Sequence, residues 1–347
     1  MFANPSSSMV EVLTTIWKRA FRRNSIHPND NFLSIGGDAE KASVIAAEIS
    51  LFAGREISPL LVLQASSIAS LADILAKTEL PPVEPIVLLN DSSQGPPIFM
   101  AHGIGDMVTS LLQLAKKLQS SCAIYGMQAA GMDGVGQPLH RIEAMAQYHL
   151  EALRKVQPHG PYFLIGYSLG GLVVFEIARS LSEAGEEIGF LAMLDSYPDR
   201  RYFAFGQRIR WEWSQKNRRA ANLSKHVKRF QALLASRLGG KLDKHPQELT
   251  SLQRAMLRVK SAQHEALRSY WPRYYKGTVN FVKAEIASYF PADPTPIWRH
   301  LVGELEVEAI PGNHLDMLNA QVEDLATVVR CLLPETLIDR PALRRIS

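Results

Sequence analysis

The feature that most constrains the fold of this chain is the pentapeptide Gly166-Tyr167-Ser168-Leu169-Gly170, which fits the pattern Gly-x-Ser-x-Gly. This pattern forms a sharp strand-to-helix turn, and its glycines avoid the clashes that side chains would cause there. An apolar run at 162–165 precedes the turn, and a plausible buried helix at 171–179 follows it. A glycine-rich turn with an incidental serine is the weaker interpretation, because strand, turn and helix come in the required order. The sequence therefore predicts that the Ser168 hydroxyl is exposed at a helix N-terminus, where backbone N–H groups favour negative charge.

A serine nucleophile needs a base, and an acidic residue that orients the base. Chains with this turn carry the three in the order Ser, Asp or Glu, then His. Asp195 directly follows the apolar run 190–194, which predicts a place at the carboxyl end of a strand, where open α/β sheets gather functional groups. An aspartate that only caps a turn is the alternative, and the position in the chain disfavours it.

The base must follow Asp195, and five histidines do so: His226, His245, His264, His300 and His314. The first three lie in charged or polar helical stretches, where we expect them in solvent. His314 follows a strand-like segment at 305–310 and a turn at 311–313, and it precedes a plausible helix start at 315–318. A histidine on a loop past a strand end can reach the serine. His314 is therefore the predicted base, and His300 is the alternative, because spacing alone does not exclude it.

An oxyanion hole needs two backbone N–H donors. One comes from the residue after the serine and the other from the loop after an earlier strand. The sequence predicts that strand at 97–101 and the loop at 102–106, so the expected donors are Ile104 and Leu169. His102 is expected to be a loop residue rather than the base, because it precedes the serine.

Five segments in order resemble the type I thioesterase domains that terminate nonribosomal peptide and polyketide assembly lines, namely 101–105, 125–131, 166–171, 194–196 and 312–318. The resemblance covers residues 96–334 and implies an α/β-hydrolase domain with a mostly parallel sheet and a helical lid insertion at about 200–270. It also implies a serine thioesterase that releases an acyl, peptidyl or polyketide chain from a pantetheine thioester. Release would occur by hydrolysis or cyclisation, through an acyl group on Ser168.

Residues 9–79 resemble the small four-helix bundles of acyl and peptidyl carrier domains. An amphipathic first helix is indicated by apolar residues at helical spacing, Val10, Leu13, Trp17 and Phe21. Segment 31–39 is similar to the Gly-Gly-Asp-Ser signature of these domains, and Ser67 is the predicted N-cap of their last helix. Residues 80–95 are predicted to be a linker and first-strand region, and 335–347 a tail.

The carrier resemblance fails at the residue that would hold the cofactor. Ala39 occupies the position of the serine that receives 4′-phosphopantetheine, and Glu40 stands where an apolar residue is usual. A methyl group cannot form the phosphodiester, so no cofactor attachment is expected. Two adjacent departures favour a naturally degenerate carrier, a spacer or docking module, over an engineered knock-out. The expected partner is therefore a separate acyl or peptidyl carrier protein, or an upstream synthase module.

A strongly basic segment lies inside the predicted lid. Residues 201–244 contain twelve Lys and Arg and two acidic residues, in a chain whose net charge is only +4. A solvated helical face is the first interpretation. Attraction of an acidic carrier or of a pantetheine phosphate is the second, and nucleic-acid binding is not expected, because no recognition motif accompanies the charge.

Length and composition set the remaining bounds. A chain of 347 residues suits one small and one large domain. Its two cysteines, Cys122 and Cys331, imply neither a disulfide framework nor a zinc set, and no metal is expected. The first residues lack a signal-peptide pattern, and no apolar run approaches the roughly 20 residues of a membrane span. The sequence thus predicts a cytoplasmic protein without a membrane partner.

Three classes of function fit these observations. The leading one is a serine thioesterase, and the second is a generic carboxylester hydrolase or lipase on the same fold. Fold and catalytic residues do not separate these two, but the fused carrier-like domain and the lid favour the thioesterase. The third is a non-catalytic docking protein for synthase modules, and the complete set of Ser168, Asp195 and His314 argues against it.

Overall fold

The structure is a computed structural model, and it describes residues 5–81, 83–134, 136–203, 205–209, 251–287 and 290–338. The central part of the predicted lid, residues 210–250, lies outside these ranges. His226, His245 and most of the basic segment therefore also lie outside the described residues.

The described chain begins with four helices, α1 (Pro5–Phe21), α2 (Ala39–Ala53), α3 (Pro59–Ala65) and α4 (Ile68–Leu75). Their shared core contains Trp17, Phe21 and Phe32, whose ring centroids lie 5.4 to 5.8 Å apart. As predicted, Ser67 caps α4, since its hydroxyl accepts a hydrogen bond from Ser70 N–H at 3.2 Å. Trp17 and Phe21, two residues of the apolar pattern of the first helix, thus belong to a buried aromatic cluster.

A seven-stranded sheet follows in the described chain, with strands β1 (Ile86–Ser93), β2 (Ile98–Ala101), β3 (Cys122–Met127), β4 (Tyr162–Tyr167), β5 (Ile188–Leu194), β6 (Tyr275–Ile286) and β7 (Val302–Asn313). The strand order is β1-β3-β2-β4-β5-β6-β7. Only the β1–β3 pair is antiparallel, and the five other pairs are parallel. β1 belongs to the sheet, so the region 80–95 holds both the linker and the first strand.

Helices cover both faces of this sheet: α5 (Leu112–Lys117), α6 (Ile142–Val156), α7 (Leu169–Glu183), α8 (Ser251–Ser269), α9 (Thr295–Trp298) and α10 (Val322–Leu332). Alternate residues of β2 supply the two cores, because successive strand side chains point to opposite faces. Ile98 and Met100 pack with α5 and α10, whereas Phe99 and Ala101 pack with α6 and α7. The apolar core on the α5 side continues into the four N-terminal helices.

A buried ion network anchors α8 to α7. Glu176 and Arg179 of α7 are 3% and 4% exposed, and their side chains pair at 2.5 Å. The Tyr270 hydroxyl, just beyond the end of α8, donates to Glu176 at 3.1 Å, and Arg273 donates to the same carboxylate at 3.2 Å. A buried carboxylate needs such partners to offset its lost hydration, and here they fix the position of α8.

Two local predictions are corrected near the C-terminus of the domain. The predicted turn at 311–313 is the end of β7, which accommodates Pro311 because it is an edge strand of the sheet. The helix expected directly after His314 does not start there, since residues 314–321 form turns and α10 begins at Val322. The Asp316 carboxylate accepts from Asn313 N–H at 3.0 Å, and this side-chain contact favours a turn over a helix.

The predicted tail, 335–347, begins later than the sequence indicates. Leu337 is 1% exposed, and its carbonyl accepts hydrogen bonds from Ser120 and Ser121. Residues 335–338 therefore belong to the folded domain, and 339–347 lie outside the described residues. Among the helices in the described ranges, none combines the length and apolarity needed to cross a membrane.

Candidate active site

Ser168 occupies the turn between β4 and α7, with φ 56° and ψ −119°. A positive φ is strained for a residue with a side chain and persists only where its surroundings enforce it. Here Ser168 N–H donates to Leu194 O at 2.9 Å. The glycines of the motif are required by close approach, because a Cβ on Gly166 would lie 2.3 Å from Gly170 O. The turn presents the half-buried Ser168 hydroxyl at the N-terminus of α7.

His314 directly follows β7 and lies within hydrogen-bond distance of Ser168. Its Nε2 is 3.1 Å from Ser168 Oγ, and its Nδ1 is 2.9 Å from Asp195 Oδ2. An ionised carboxylate can only accept, so Nδ1 carries the proton and Nε2 is free to accept from the hydroxyl. The three residues predicted from the sequence are therefore in contact, in the geometry of a nucleophile, a base and an orienting acid.

Asp195 stands at the carboxyl end of β5, where the sequence placed it. Its N–H donates to Val282 O at 2.8 Å, and its Oδ1 accepts from Ala284 N–H at 3.4 Å. The side chain is 7% exposed and that of His314 is 10% exposed. Because both partners are shielded from water, their interaction is stronger than that of a surface pair, and it holds the imidazole in one orientation.

Two aromatic residues that the sequence reasoning missed also hold His314. The Tyr167 ring stacks on the imidazole at 4.8 Å between centroids, and its hydroxyl donates to His314 O at 2.6 Å. Phe290 contacts the ring edge-on at 4.9 Å. Tyr167 precedes the serine in the motif, which offered a positional signal, but no local pattern marked Phe290.

The alternative histidines lie elsewhere. His300 precedes β7, so it lies at the amino end of the strand whose carboxyl end carries His314. It is exposed, and its Nε2 accepts from Arg299 Nε at 3.0 Å. His264 is exposed on α8, where partial burial and nearby cations lower its pKa. In the described part of the chain, the histidine that contacts Ser168 is His314.

The loop after β2 lies against the nucleophile. A Cβ on Gly103 would be 3.3 Å from Ser168 Cβ, so this loop passes directly beside the serine. Ile104 is the next residue, and Asp106 N–H closes the turn onto Gly103 O at 3.4 Å. Leu169 is the first residue of α7, and the first N–H groups of a helix have no intrahelical acceptor. The loop and the start of α7 thus both lie beside Ser168.

A small cavity of about 30 Å³ borders this loop and contains space for one or two water molecules. His102 and His149 line it, 5% and 6% exposed. Burial lowers the pKa of His102, and it lowers the pKa of His149 to about 3. Both rings are therefore neutral near pH 7. His102 is a buried loop residue, and its Nδ1 donates to Gly103 O at 2.9 Å.

We expect Gly170→Ala to impair both folding and activity. A Cβ at this position would lie 2.3 Å from Ala101 O and 2.6 Å from His102 O, and these backbone atoms cannot swing away as a side chain can. The loop after β2 must shift, at a cost of about 1–3 kcal/mol. Thermal unfolding and esterase assays should show a lower melting temperature and at least tenfold lower kcat/KM. Gly206→Ala, where no atom lies within 4 Å, is the control, and equal behaviour of the two variants would contradict the packing argument.

Two protein-family models match the chain, in the order that the sequence analysis predicts. The family model of the thioesterase domain matches residues 96–332. The model of the phosphopantetheine attachment site matches residues 11–75.

Curated relatives are named as synthetases and synthases, among them a dimodular nonribosomal peptide synthase of Bacillus subtilis (strain 168). Malpinin synthetase of Mortierella alpina is 31% identical over 206 residues, which are 58% of this chain and 3% of that protein. Enterobactin synthase component F of Escherichia coli (strain K12) is 33% identical over 172 residues, 48% of this chain and 13% of that protein. The chain thus matches only a small part of the length of these relatives.

Solved structures share the fold. The four-domain nonribosomal peptide synthetase AB3403, in its holo form with AMP and glycine, has a TM-score of 0.56 at 22% identity, over 96% of this chain and 27% of that one. The NocB thioesterase domain, in covalent complex with a fluorophosphonate nocardicin G analogue, has a TM-score of 0.51 at 21% identity, over 68% of this chain and 94% of that one. The thioesterase model covers more than half of the chain, and the chain therefore belongs to the thioesterase domain family, with an α/β-hydrolase-like fold on a mostly parallel sheet and a carrier-type domain ahead of it.

Proposed function

We propose that this chain is a serine thioesterase that releases an acyl, peptidyl or polyketide chain from a pantetheine thioester through an acyl group on Ser168. The observation that carries the proposal is the continuous hydrogen-bond chain from Ser168 through His314 to Asp195. Membership of the thioesterase family supports the thioester as substrate. The relatives named as synthetases and synthases, one of them a nonribosomal peptide synthase, support a chain assembled on a synthase.

The proposed acylation step uses the three residues in contact. Ser168 Oγ attacks the thioester carbonyl while His314 Nε2 accepts its proton, and Asp195 stabilises the imidazolium that forms. Ile104 and Leu169 N–H are the proposed donors to the negative oxygen. When the carbonyl reforms, the carbon–sulfur bond breaks, and the proton on His314 passes to the departing pantetheine sulfur. The acyl group is then esterified to Ser168.

Release uses the same groups, with Ser168 now as the leaving group. A water molecule, or a hydroxyl or amine within the acyl chain, attacks the ester carbonyl while His314 accepts the proton. Water gives the free acid, and an internal nucleophile gives a ring. His314 then returns the proton to Ser168 Oγ, and the free enzyme is restored.

Delivery by a separate carrier is part of the proposal. Ala39 is the first residue of α2, capped by Asp38, whose carboxylate accepts from Lys41 N–H at 2.8 Å. This is the head of a helix, but alanine offers no oxygen for a phosphodiester. The residue present therefore does not fit an attached 4′-phosphopantetheine. The acyl chain must then come from another carrier protein or from an upstream synthase module.

We expect incubation with coenzyme A and a broad-specificity phosphopantetheinyl transferase to leave the intact mass of this protein unchanged. Ala39→Ser, which restores a hydroxyl after the Gly36-Gly37-Asp38 turn, is the matched variant and should gain one phosphopantetheine. Glu40 adds negative charge beside the target, so modification should improve further in Ala39→Ser combined with Glu40→Leu. A stoichiometric adduct on the unsubstituted protein would contradict separate delivery and would mean that the chain carries its own substrate.

A generic carboxylester hydrolase on the same fold is the alternative function. Matched substrates separate the two: an acyl-pantetheine thioester and the oxygen ester with the same acyl group and an analogous alcohol. The proposal predicts a higher kcat/KM for the thioester, and a further rise when a carrier protein presents it. A preference for the oxygen ester would favour the carboxylester hydrolase, and turnover of neither would favour a non-catalytic docking role.

A further inference from the structure

A side chain from α8 reaches the loop beside the nucleophile. Gln263 lies in the C-terminal half of α8 and is 3% exposed. Its Oε1 accepts a hydrogen bond from Gly105 N–H at 2.7 Å, although the two residues are 158 positions apart in the sequence. α8 thus contacts the backbone of the segment that follows β2.

The bond fixes the peptide next to the proposed oxyanion donor. The Gly105 N–H belongs to the peptide unit that begins with the Ile104 carbonyl, so its orientation is coupled to the Ile104 backbone. Gly105 has φ 68°, a conformation open to glycine at little cost. A Cβ there would also lie 2.8 Å from the Lys260 stem, so α8 packs directly on this turn.

Packing alone leaves the loop only partly supported. The cavity of about 30 Å³ borders Ala101 and His102, and Gln263 is part of its wall. Atoms that face a cavity lack contacts on that side, so packing at Ala101 and His102 opposes movement at the start of the loop less strongly there. A directional hydrogen bond from a buried side chain is the constraint that opposes such movement.

We propose that Gln263 is a positioning residue for the oxyanion hole, holding the turn at Gly105 so that Ile104 N–H points at the developing oxyanion on the substrate. The proposal rests on the proposed role of Ser168 as nucleophile. It assigns to α8 a positioning part in catalysis. α8 stays anchored through Tyr270, Arg273 and Glu176 when Gln263 is changed, so loss of the bond need not release the helix.

The test compares Gln263→Met, which keeps the length of the side chain and removes the acceptor, with the unsubstituted protein. Displacing an oxyanion donor raises the barrier more than it weakens ground-state binding. We expect kcat to fall about tenfold to a hundredfold, with KM changed less than about threefold. 4-Nitrophenyl acetate serves beside the thioester, because any serine nucleophile with an oxyanion hole should react with it even if thioesters are not substrates.

A second readout separates positioning from general damage. An alkylboronic acid adds to Ser168 and places an oxygen at the oxyanion position, so its inhibition constant should rise by about the same factor as kcat falls. Gln263→Asn keeps an amide acceptor on a shorter arm and should give an intermediate kcat. Slow hydrogen–deuterium exchange of the Gly105 amide in the unsubstituted protein, resolved by NMR, tests the bond without any substitution.

Arg258→Met is the matched control, since Arg258 ties α8 to a different loop by donating to Gly134 O at 2.8 Å. It should keep kcat and the inhibition constant within about twofold. The proposal is overturned if Gln263→Met retains kcat, or if Arg258→Met loses as much kcat as Gln263→Met does. It is also overturned if the boronic acid binds Gln263→Met and the unsubstituted protein equally. Rapid exchange of the Gly105 amide in the unsubstituted protein would also overturn it.

Discussion

Ser168→Ala is expected to lower kcat about 10⁶-fold while leaving the fold intact. The substitution removes the atom that attacks the thioester, and no other group in the site can replace it. Stability should hardly change, because Ser168 Oγ is half-buried and its hydrogen bond is to His314. Turnover of acyl-pantetheine thioesters and thermal unfolding measure the two effects separately.

The matched control is Ser182→Ala, which removes a partly buried hydroxyl from the same helix far from its N-terminus. It should keep full activity. Residual turnover by Ser168→Ala above about one part in a thousand would show that another residue, or direct attack by water, performs the reaction.

Asp195→Asn is expected to lower kcat about 10⁴-fold, by analogy with the same change in serine proteases. The carboxylate accepts from His314 Nδ1–H at 2.9 Å and so keeps Nε2 free to accept from the serine. An asparagine amide can present N–H to Nδ1 instead, which stabilises the wrong tautomer. The rate of acyl-enzyme formation and the melting temperature, measured on the same preparation, distinguish this loss from unfolding.

Asp199→Asn provides the comparison, because Asp199 caps the short 3-10 turn after β5 through Arg201 N–H. It should alter kcat less than about threefold. A loss below tenfold in Asp195→Asn would contradict the orienting role. The base itself is tested by His314→Ala and His300→Ala, and retained activity in the first with loss in the second would show that the base is assigned to the wrong histidine.

Local signals in the sequence were enough to predict that Ser168, Asp195 and His314 lie in contact. Ser168 follows β4, Asp195 follows β5 and His314 follows β7, and parallel strands bring their carboxyl ends to one edge of the sheet. Chain order and strand direction therefore suffice to bring three distant residues together. Ser67 was likewise predictable, because a cap depends on the next few residues.

Contacts between distant segments were not predictable from the sequence. Phe290 reaches His314 from another loop, and Gln263 reaches Gly105 across 158 positions. Such contacts depend on how α8 and the loops pack on the sheet, and no short pattern encodes that. The length of β7 was missed for a related reason, since Pro311 signals a turn locally but is accepted in an edge strand.

The ends of the domain show the same limit. Residues 335–338 were assigned to the tail, but Leu337 fills a site beside Ser120 and Ser121 and becomes buried. No sequence signal predicted the apolar core that joins the N-terminal helices to one face of the sheet. Each half of that core is a typical amphipathic surface, and only the folded chain shows that the two halves meet.

The central claim is that the acyl chain passes through an ester on Ser168, and the most direct test is mass spectrometry of the protein during turnover. An acyl-pantetheine thioester carried by a separate carrier protein is mixed with the enzyme, quenched in acid, and the peptide containing Ser168 is examined. We predict that this peptide gains the mass of the acyl group, that the ester decays as product appears, and that Ser168→Ala shows neither. Turnover without an ester in rapidly quenched samples, or an acyl group on a different residue, would contradict the account.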